Sequence, residues 1–488
     1  MLEQTRMAVL PFSGLHSSTD CGENALIGSR NGFQLLRSFS RRARGRRSCV
    51  VQRLRAFWKV FAKRCLKMKL QILGITRSGT KRKSVCNRSR PDMGSRTELW
   101  TNLRQPIGDE PCLVPGLTDD VALQCLARVP REDHCMLRAV CKTWRRVMES
   151  QEYLELRSQL GCTEDWLYLH VGTSPHLEER VHKKQAKWEL VGGFSSWHAL
   201  DPYRYKWHGL PPIPYDRSVT GGQVVLGATS AVLNGNLYVI GGAPFGKTAL
   251  RDVWVYNLRR NQWKKAAPML TPRFGCLAGV IKGKLYAVGG SGMCHLRGYS
   301  LPSLEVYDPR RNSWRFVASA RGIITTHTCN PLKYVAVIED RLCVIGPQNL
   351  TGQLNGGIYD PETDSWSEML PGLRSGWGKP STVMDKNLYT MEFGCYQCYL
   401  SEEDSWSTVE FKSDDSLLDW DPRLISAMAG SNGKLYTVGT LGPALIVLVA
   451  PVDEGMVSQN LSWHTMKLPN GVDFLGDLGH CSCQVISF

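Results

Sequence analysis

A chain of 488 residues with 42% hydrophobic content and 46 glycines is long enough for two or three folding units rich in turns. Its net charge of +16 is local: residues 1–110 hold 23 of the 60 basic and 7 of the 44 acidic residues, leaving 37 of each sign for the remainder. A neutral remainder argues against nucleic-acid binding by the folded part. No apolar run approaches the ~18 residues of a spanning helix, and 17 scattered cysteines without framework spacing suit a reducing compartment.

Residues 1–110 are predicted to be a basic, largely disordered arm, densest in charge at Arg41–Arg47 and Lys81–Lys83. Between these clusters the apolar residues of Val51–Leu66 recur at mixed three- and four-residue spacing. A basic amphipathic helix there would suit an anionic membrane surface or a partner groove. The clusters equally fit nuclear import, and the acid-poor, Arg-rich Met1–Leu70 fits organelle targeting. Met1–Leu10 lacks the layout of a secretory signal. The expected location is cytoplasm and/or nucleus, with organelle targeting by the arm as the alternative.

Residues 111–160 change character. Thr118 or Asp119 can cap a helix over Asp120–Ala127, and Val129-Pro130 stops it. A second helix fits Glu132–Val140 and a third Lys142–Ser150, with Trp144 and Val147 on one side. Three helices in under fifty residues bury little surface alone, so such a segment presents an apolar face to a partner. The run Leu113-Val114-Pro115-Gly116-Leu117, Asp120-Val121-Ala122-Leu123, Leu126-Ala127-Arg128-Val129-Pro130 and Leu137-Arg138-Ala139-Val140-Cys141-Lys142-Thr143-Trp144-Arg145 resembles an F-box in its plant Kelch-associated form. The resemblance implies docking on the Skp-type adaptor of a cullin–RING ubiquitin ligase scaffold. It assigns the docking face to Leu117, Val121, Leu123, Leu126, Val129, Pro130, Leu137, Val140 and Trp144. One departure is Thr118, where the family usually has Pro.

From Asp165 onward a module recurs. One copy reads Ser230–Gly242, then Val253–Asn257, then Asn261-Gln262-Trp263; the next reads Ala278–Gly290, Leu304–Pro309 and Asn312-Ser313-Trp314. Weaker copies end at Trp366, Trp406 and Trp463. Each copy is read as four short strands, with Asn-Gly and Lys-Gly pairs supplying hairpin turns and a doubled Gly where backbones crowd. A Trp in the fourth strand is expected to pack on the next sheet. Trp207, Trp263, Trp314, Trp366, Trp406 and Trp463 are spaced by 56, 51, 52, 40 and 57 residues. That period is similar to the ~50-residue Kelch repeat, one propeller blade per copy. The first copy lacks an opening strand and Cys481–Phe488 is an unattached apolar strand, so the end of the chain should close a ring of six. The predicted class is multidomain, α plus all-β: a small three-helix F-box over 111–160, then a six-bladed Kelch β-propeller over 161–488 closed by the C-terminal strand.

Several motifs imitate chemistry. Gly241-Gly242-Ala243-Pro244-Phe245-Gly246-Lys247-Thr248 matches the P-loop pattern, but three residues separate it from the strand beginning at Asp252, too few for the helix that holds phosphate. Cys395-Tyr396-Gln397-Cys398 is a lone C-x-x-C whose only candidate partners, Cys481 and Cys483, read as core residues. Asn349 and Asn460 fit the glycosylation pattern but read as loop and strand residues. The 11 histidines show no ligand spacing. No catalytic residue, metal or cofactor is expected.

In Kelch propellers partners sit on the rim formed by second-strand loops and inter-blade segments, which implies Tyr215, Arg217, Phe245, Arg273, Phe274, His295, Arg321, Trp377 and Arg423 as substrate-binding residues. Lys247, Arg297, Asn349, Tyr396 and Trp420 stand at similar places. Arg217, Arg273, Arg321 and Arg423 at equivalent inter-blade positions would suit an acidic or phosphorylated surface. The implied function is a non-catalytic substrate-recognition subunit of a Skp–cullin–F-box ligase, with a protein substrate, no nucleic acid and no transmembrane segment. The alternative is a Kelch interaction scaffold that acts without a ligase.

Overall fold

The computed structural model describes residues within 113–488, the longest stretches outside it being 293–300, 321–333, 410–424 and 467–479. The amphipathic stretch Val51–Leu66 and the basic clusters lie outside the described residues, as do Asn349, Asn460 and the rim candidates Arg297 and Trp420. The described residues form two compact units. One runs up to Val129 and resumes over Asp133–Leu156; the other joins Pro130–Glu132 to Arg157–Phe488. Among the described residues no helix is long and apolar enough to cross a membrane.

The helices ahead of the blades are α1 (Asp119–Ala127), α2 (His134–Arg138), α3 (Lys142–Glu149) and α4 (Gln151–Gln159), with a 3-10 turn at Arg131–Asp133; the first unit holds α1 to α3 and α4 as far as Leu156. The sequence reading expects three helices and misses α4. Thr118 holds the N-cap position of α1 without a side-chain cap, and its φ of −68° is the value a proline would impose. The departure from Pro thus leaves the backbone entry to α1 intact. Cys141 caps α3 through its sulfur, which accepts from the Trp144 N–H at 3.3 Å.

The second unit is a ring of four-stranded antiparallel sheets. Blade one uses β1 (Asp165–Thr173), β4 (Phe194–Leu200) and β5 (Trp207–Gly209), with a separate hairpin, β2 (His176–His182) and β3 (Gln185–Val191), inserted between them. A short helix α5 (Arg217–Thr220) leads to blade two: β6 (Val225–Leu233), β7 (Asn236–Pro244), β8 (Val253–Asn257) and β9 (Gln262–Lys265). Blade three is β10 (Leu277–Ile281), β11 (Lys284–Val288), β12 (Leu304–Asp308) and β13 (Ser313–Val317). Blade four is β14 (Tyr334–Ile338), β15 (Arg341–Gln348), β16 (Leu354–Asp360) and β17 (Ser365–Glu368). After α6 (Pro371–Gly376) comes blade five: β18 (Ser381–Met384), β19 (Asn387–Glu392), β20 (Cys395–Leu400) and β21 (Ser405–Val409). Blade six is β22 (Ile425–Ser431), β23 (Lys434–Leu441), β24 (Ala444–Asp453) and β26 (Ser462–Met466), with β25 (Met456–Val457) as an extra edge.

The last strand, β27 (His480–Ser487), pairs antiparallel with β1 from Asp165↔Ser487 to Gly172↔His480. It supplies the strand that blade one lacks. The seam it completes is a shared core: Leu167, Leu169 and Val171 meet Ala427, Tyr436, Val438 and Val447 of blade six, with Cys483 among them. Its pairing covers the β1 edge that blade one would otherwise leave open.

Turn chemistry sets the hairpins. Asn234-Gly235, Lys282-Gly283 and Asn432-Gly433 all have positive φ at both residues, as the tight β-hairpin requires. The double glycine is equally specific. A Cβ at Gly242 would lie 2.8 Å from Val225 and 2.9 Å from the Leu226 carbonyl, so only hydrogen fits.

The recurring Trp does not pack on the next sheet, as the sequence reading expects. It faces the preceding one. The Trp314 indole N–H donates to the Ala267 carbonyl at 2.9 Å, and the Ala267 N–H donates to Asn312 Oδ1 at 2.9 Å. Blade four repeats this clamp on Ala318 with Trp366 and Asp364, and blade five on Gly372 with Trp406 and Asp404. The clamping Asn or Asp sits at positive φ and accepts a tyrosine hydroxyl, from Tyr307, Tyr359 or Tyr399. In blades three, four and five a Tyr–Asx–Trp set therefore fixes both polar groups of a single residue leaving the blade before it.

Candidate functional site

In the helical unit, five of the nine expected docking residues are buried: Leu123, Leu126, Val129, Leu137 and Trp144. Leu126 and Leu137 have no exposed surface and Trp144 only 2%, and the Trp144 indole is spent on the Leu113 carbonyl at 2.7 Å. The Tyr153 hydroxyl donates to the Leu126 carbonyl at 2.8 Å and the His134 ring meets the Val129 carbonyl at 3.0 Å. These five hold the unit together and do not present a face. Leu117, Val121 and Val140 are half-buried and keep surface for a partner; Pro130, also half-buried, belongs to the second unit. A hydrophobic pattern marks both kinds of residue alike, which is why spacing alone does not separate them.

On the propeller, one end of the strands carries a described rim. The loop after β7 brings Phe245 and Lys247 to the surface, both half-buried. Lys247 Nζ donates to the Val219 carbonyl of α5 at 3.4 Å, joining this loop to the segment between blades one and two. Arg217 on α5 is exposed, and Val219, which the sequence reading passes over, is 53% exposed. Asp216 caps α5, its carboxylate held below the usual range by hydrogen bonds from the Ser218 hydroxyl and N–H. Phe274 pairs its backbone with Ser291 and rests its ring on Ala243 and Ala249, half-buried. Tyr215 lies edge-on to Trp254 at 5.9 Å, and burial, with Asp252 beside it, pushes its phenol up.

Three rim candidates are corrected. Arg273 has no exposed surface. Its guanidinium contacts Glu305, also fully buried, at 2.8 and 3.3 Å, and donates to the Gly289 and Ser303 carbonyls at 2.7 and 3.1 Å. It is a strut between blades two and three. Trp377 is fully buried between blades four and five, its indole donating to Ser381 at 2.8 Å. Tyr396 is equally buried and its hydroxyl pairs with Thr437. His295, Arg321 and Arg423 lie outside the described residues. With Arg273 internal, the four-arginine pattern gives no support to an acidic or phosphorylated ligand at this rim. The signal for the strut is Glu305: an acid in the otherwise apolar or aromatic, wholly buried run Leu304–Tyr307 must find a cation.

The imitation motifs resolve by geometry. Gly241–Pro244 continues β7, and β8 begins at Val253 with no helix between them. Cys395 and Cys398 sit on opposite faces of β20. Cys398 belongs to the core of blades five and six, whereas Cys483 belongs to that of blades six and one, so the cysteines do not form one set.

Residues 115–156 match the F-box domain family, and residues 226–270 and 272–321 match the Kelch motif family. The second pair of spans falls on blades two and three, whose turns and doubled glycines are the most regular. The F-box/kelch-repeat protein At1g22040 of Arabidopsis thaliana is 32% identical over 393 residues, covering 68% of this chain and 78% of that one. The Arabidopsis F-box/kelch-repeat protein At1g67480 is 34% identical over 405 residues, covering 80% and 93%. With the helical segment and the blades pointing to the same relatives along most of their length, the chain belongs to the F-box/kelch-repeat family.

Proposed function

We propose that this chain is the substrate-recognition subunit of a Skp–cullin–F-box ubiquitin ligase, its F-box docking the Skp-type adaptor and its propeller holding the protein to be ubiquitinated. The observation that carries the reading is the union of an F-box match and a Kelch propeller in one chain whose relatives share both. On this reading the chain performs no bond chemistry. It raises the effective concentration of a bound target beside a separate conjugating enzyme. Leu117, Val121 and Val140 carry the adaptor contact; Arg217, Val219, Phe245, Lys247 and Phe274 carry the substrate contact.

The adaptor contact is tested by co-precipitating the full chain with a Skp-type subunit, wild type against Leu117→Asp/Val140→Asp. Leu126 and Trp144 are unsuitable targets because their burial makes any loss a folding effect. Undiminished recovery by a folded variant would remove the ligase assignment and leave an interaction scaffold. For the substrate contact, proximity labelling with Arg217→Glu/Lys247→Glu should lose proteins that accumulate under proteasome inhibition in wild type. An unchanged labelled set rejects this rim.

A further inference from the structure

At the other end of blade three from the rim lies a cavity of about 270 Å³, lined by Lys284, Val306, Asp308, Arg311, Trp314 and Arg315 among its residues. Register explains the convergence. Val306 pairs with Arg315 and Asp308 with Ser313 across β12 and β13, while Tyr286 pairs with Val306 across β11 and β12. Directly paired residues point to one face, so Arg315 and the row of Lys284, Asp308 and Ser313 share it. Arg311, from the intervening turn, completes the group.

None of the three cations forms a direct ion pair or side-chain hydrogen bond with a described residue, although Lys284 and Arg311 act on the Asp308 carboxylate and Arg315 on that of Asp364. Asp308 is the one acid of the lining, but its Oδ1 accepts from the Arg310 and Arg311 backbone N–H groups at 2.9 and 3.4 Å. Neighbouring cations are handled differently. Lys282 pairs with Glu362, and Arg341, which opens β15 as Lys284 opens β11, pairs with Asp360 at 3.1 Å. Blade four thus closes the equivalent pair directly, whereas in blade three Lys284 and Arg311 share Asp308, and Arg315 is answered from outside the lining by Asp364, leaving three cations against two acids.

We propose that this cavity binds a phosphate monoester: a phosphorylated serine or threonine side chain, or free phosphate. A phosphoserine carries roughly −1.5 to −2 charges and three acceptor oxygens, which suits the excess of cations and the two guanidinium forks. The volume lies just below the roughly 300–1,000 Å³ of sites for drug-sized ligands, which suits one anionic group and its stem, with Val306 and Trp314 as the apolar wall. The site uses no residue of the rim or of the F-box, so it stands whether or not those assignments do.

The test is titration calorimetry on the full chain at ~0.15 M ionic strength, using inorganic phosphate, a phosphoserine peptide and its unphosphorylated form. Both phosphate probes should bind saturably at one site, and the unphosphorylated peptide should not. Arg311→Gln/Arg315→Gln should weaken both by about tenfold or more, each lost charged hydrogen bond being worth at least that. Both side chains are exposed, so the thermal midpoint should not move; Lys284→Met, at a half-buried position, gives a second variant and is read only if its midpoint is also unchanged. A tighter peptide identifies a protein-borne group and equal affinities identify the free anion. Absence of saturable binding, or binding unchanged in the variants (then owed to the basic arm, intact in all of them), overturns the proposal.

Discussion

Replacing Arg273 with alanine should damage the propeller and not a surface. The substitution removes the one cation that pairs with Glu305 among the described residues, leaving the carboxylate with the Leu270 and Thr271 N–H groups at 2.7 and 3.0 Å. It also strips donors from the Gly289 and Ser303 carbonyls. Removing one partner of a buried pair costs about 3–5 kcal/mol, a large share of the roughly 5–15 kcal/mol that holds a domain. Arg273→Met/Glu305→Gln removes both charges while a glutamine oxygen can still accept from the two N–H groups. It should lose less than the sum of Arg273→Met and Glu305→Gln, with a coupling of about 2 kcal/mol. Urea unfolding followed by tryptophan fluorescence measures all three. Single variants within about 0.5 kcal/mol of wild type, or additive losses, would refute the strut and return Arg273 to the surface.

Gly372→Ala should lower stability by about 1–3 kcal/mol, because the new Cβ would meet the Asp404 backbone carbonyl while Gly372 is clamped through both its polar groups; a thermal midpoint equal to wild type would deny the crowding. Asp364 is held below the usual carboxylate range by the Ala318 N–H and Tyr359 hydroxyl. At Asp404 burial opposes the shift, but hydrogen bonds from Tyr399, Gly372 and Leu373 outweigh it. Their contribution is therefore complete above the unfolded value of about 3.9 and is lost as pH falls through the lower folded values. Asp364→Asn/Asp404→Asn should flatten the acid limb of a stability-against-pH curve, and an unchanged limb would show that the clamps do not titrate. Deleting 480–488 should expose the β1 edge and the blade-six core face, giving higher-order species on size exclusion; a monomer with an unchanged midpoint would mean the ring does not need β27.

The fold was legible where local chemistry is repeated. Trp spacing, Asn-Gly turns and doubled glycines each impose a backbone requirement that few residues meet, and together they counted the blades and found the closing strand. The inserted hairpin β2–β3 was not legible, since it belongs to no repeat and breaks no pattern. Nor was α4, which follows the F-box signature without a distinctive stop after α3. The direction of the Trp contact was missed because periodicity says which residues are equivalent, not which neighbour they touch. The site was less legible still. Choosing Arg and aromatic residues from loops presumes that loop side chains point outward, and Arg273 and Trp377 point in.

Why blade three needs an ion pair can be read from the segment that enters it. Trp263 clamps Pro211 and Trp314 clamps Ala267, so these two residues are equivalent and Leu270 corresponds to Pro214. Proline has no N–H to satisfy, whereas the Leu270 N–H is turned into a packed seam and must find an acceptor. Glu305 provides it, and Arg273 then balances the charge that Glu305 brings. In blade two the place of Glu305 on the third strand is held by Trp254, which meets Tyr215 edge-on, while the charges nearby, Lys265 over the indole and Asp252, pair with each other. A single backbone donor thus separates an aromatic seam from an ionic one. For that reason an arginine at an inter-blade position says little about a ligand until its own carboxylate has been sought within the sheet.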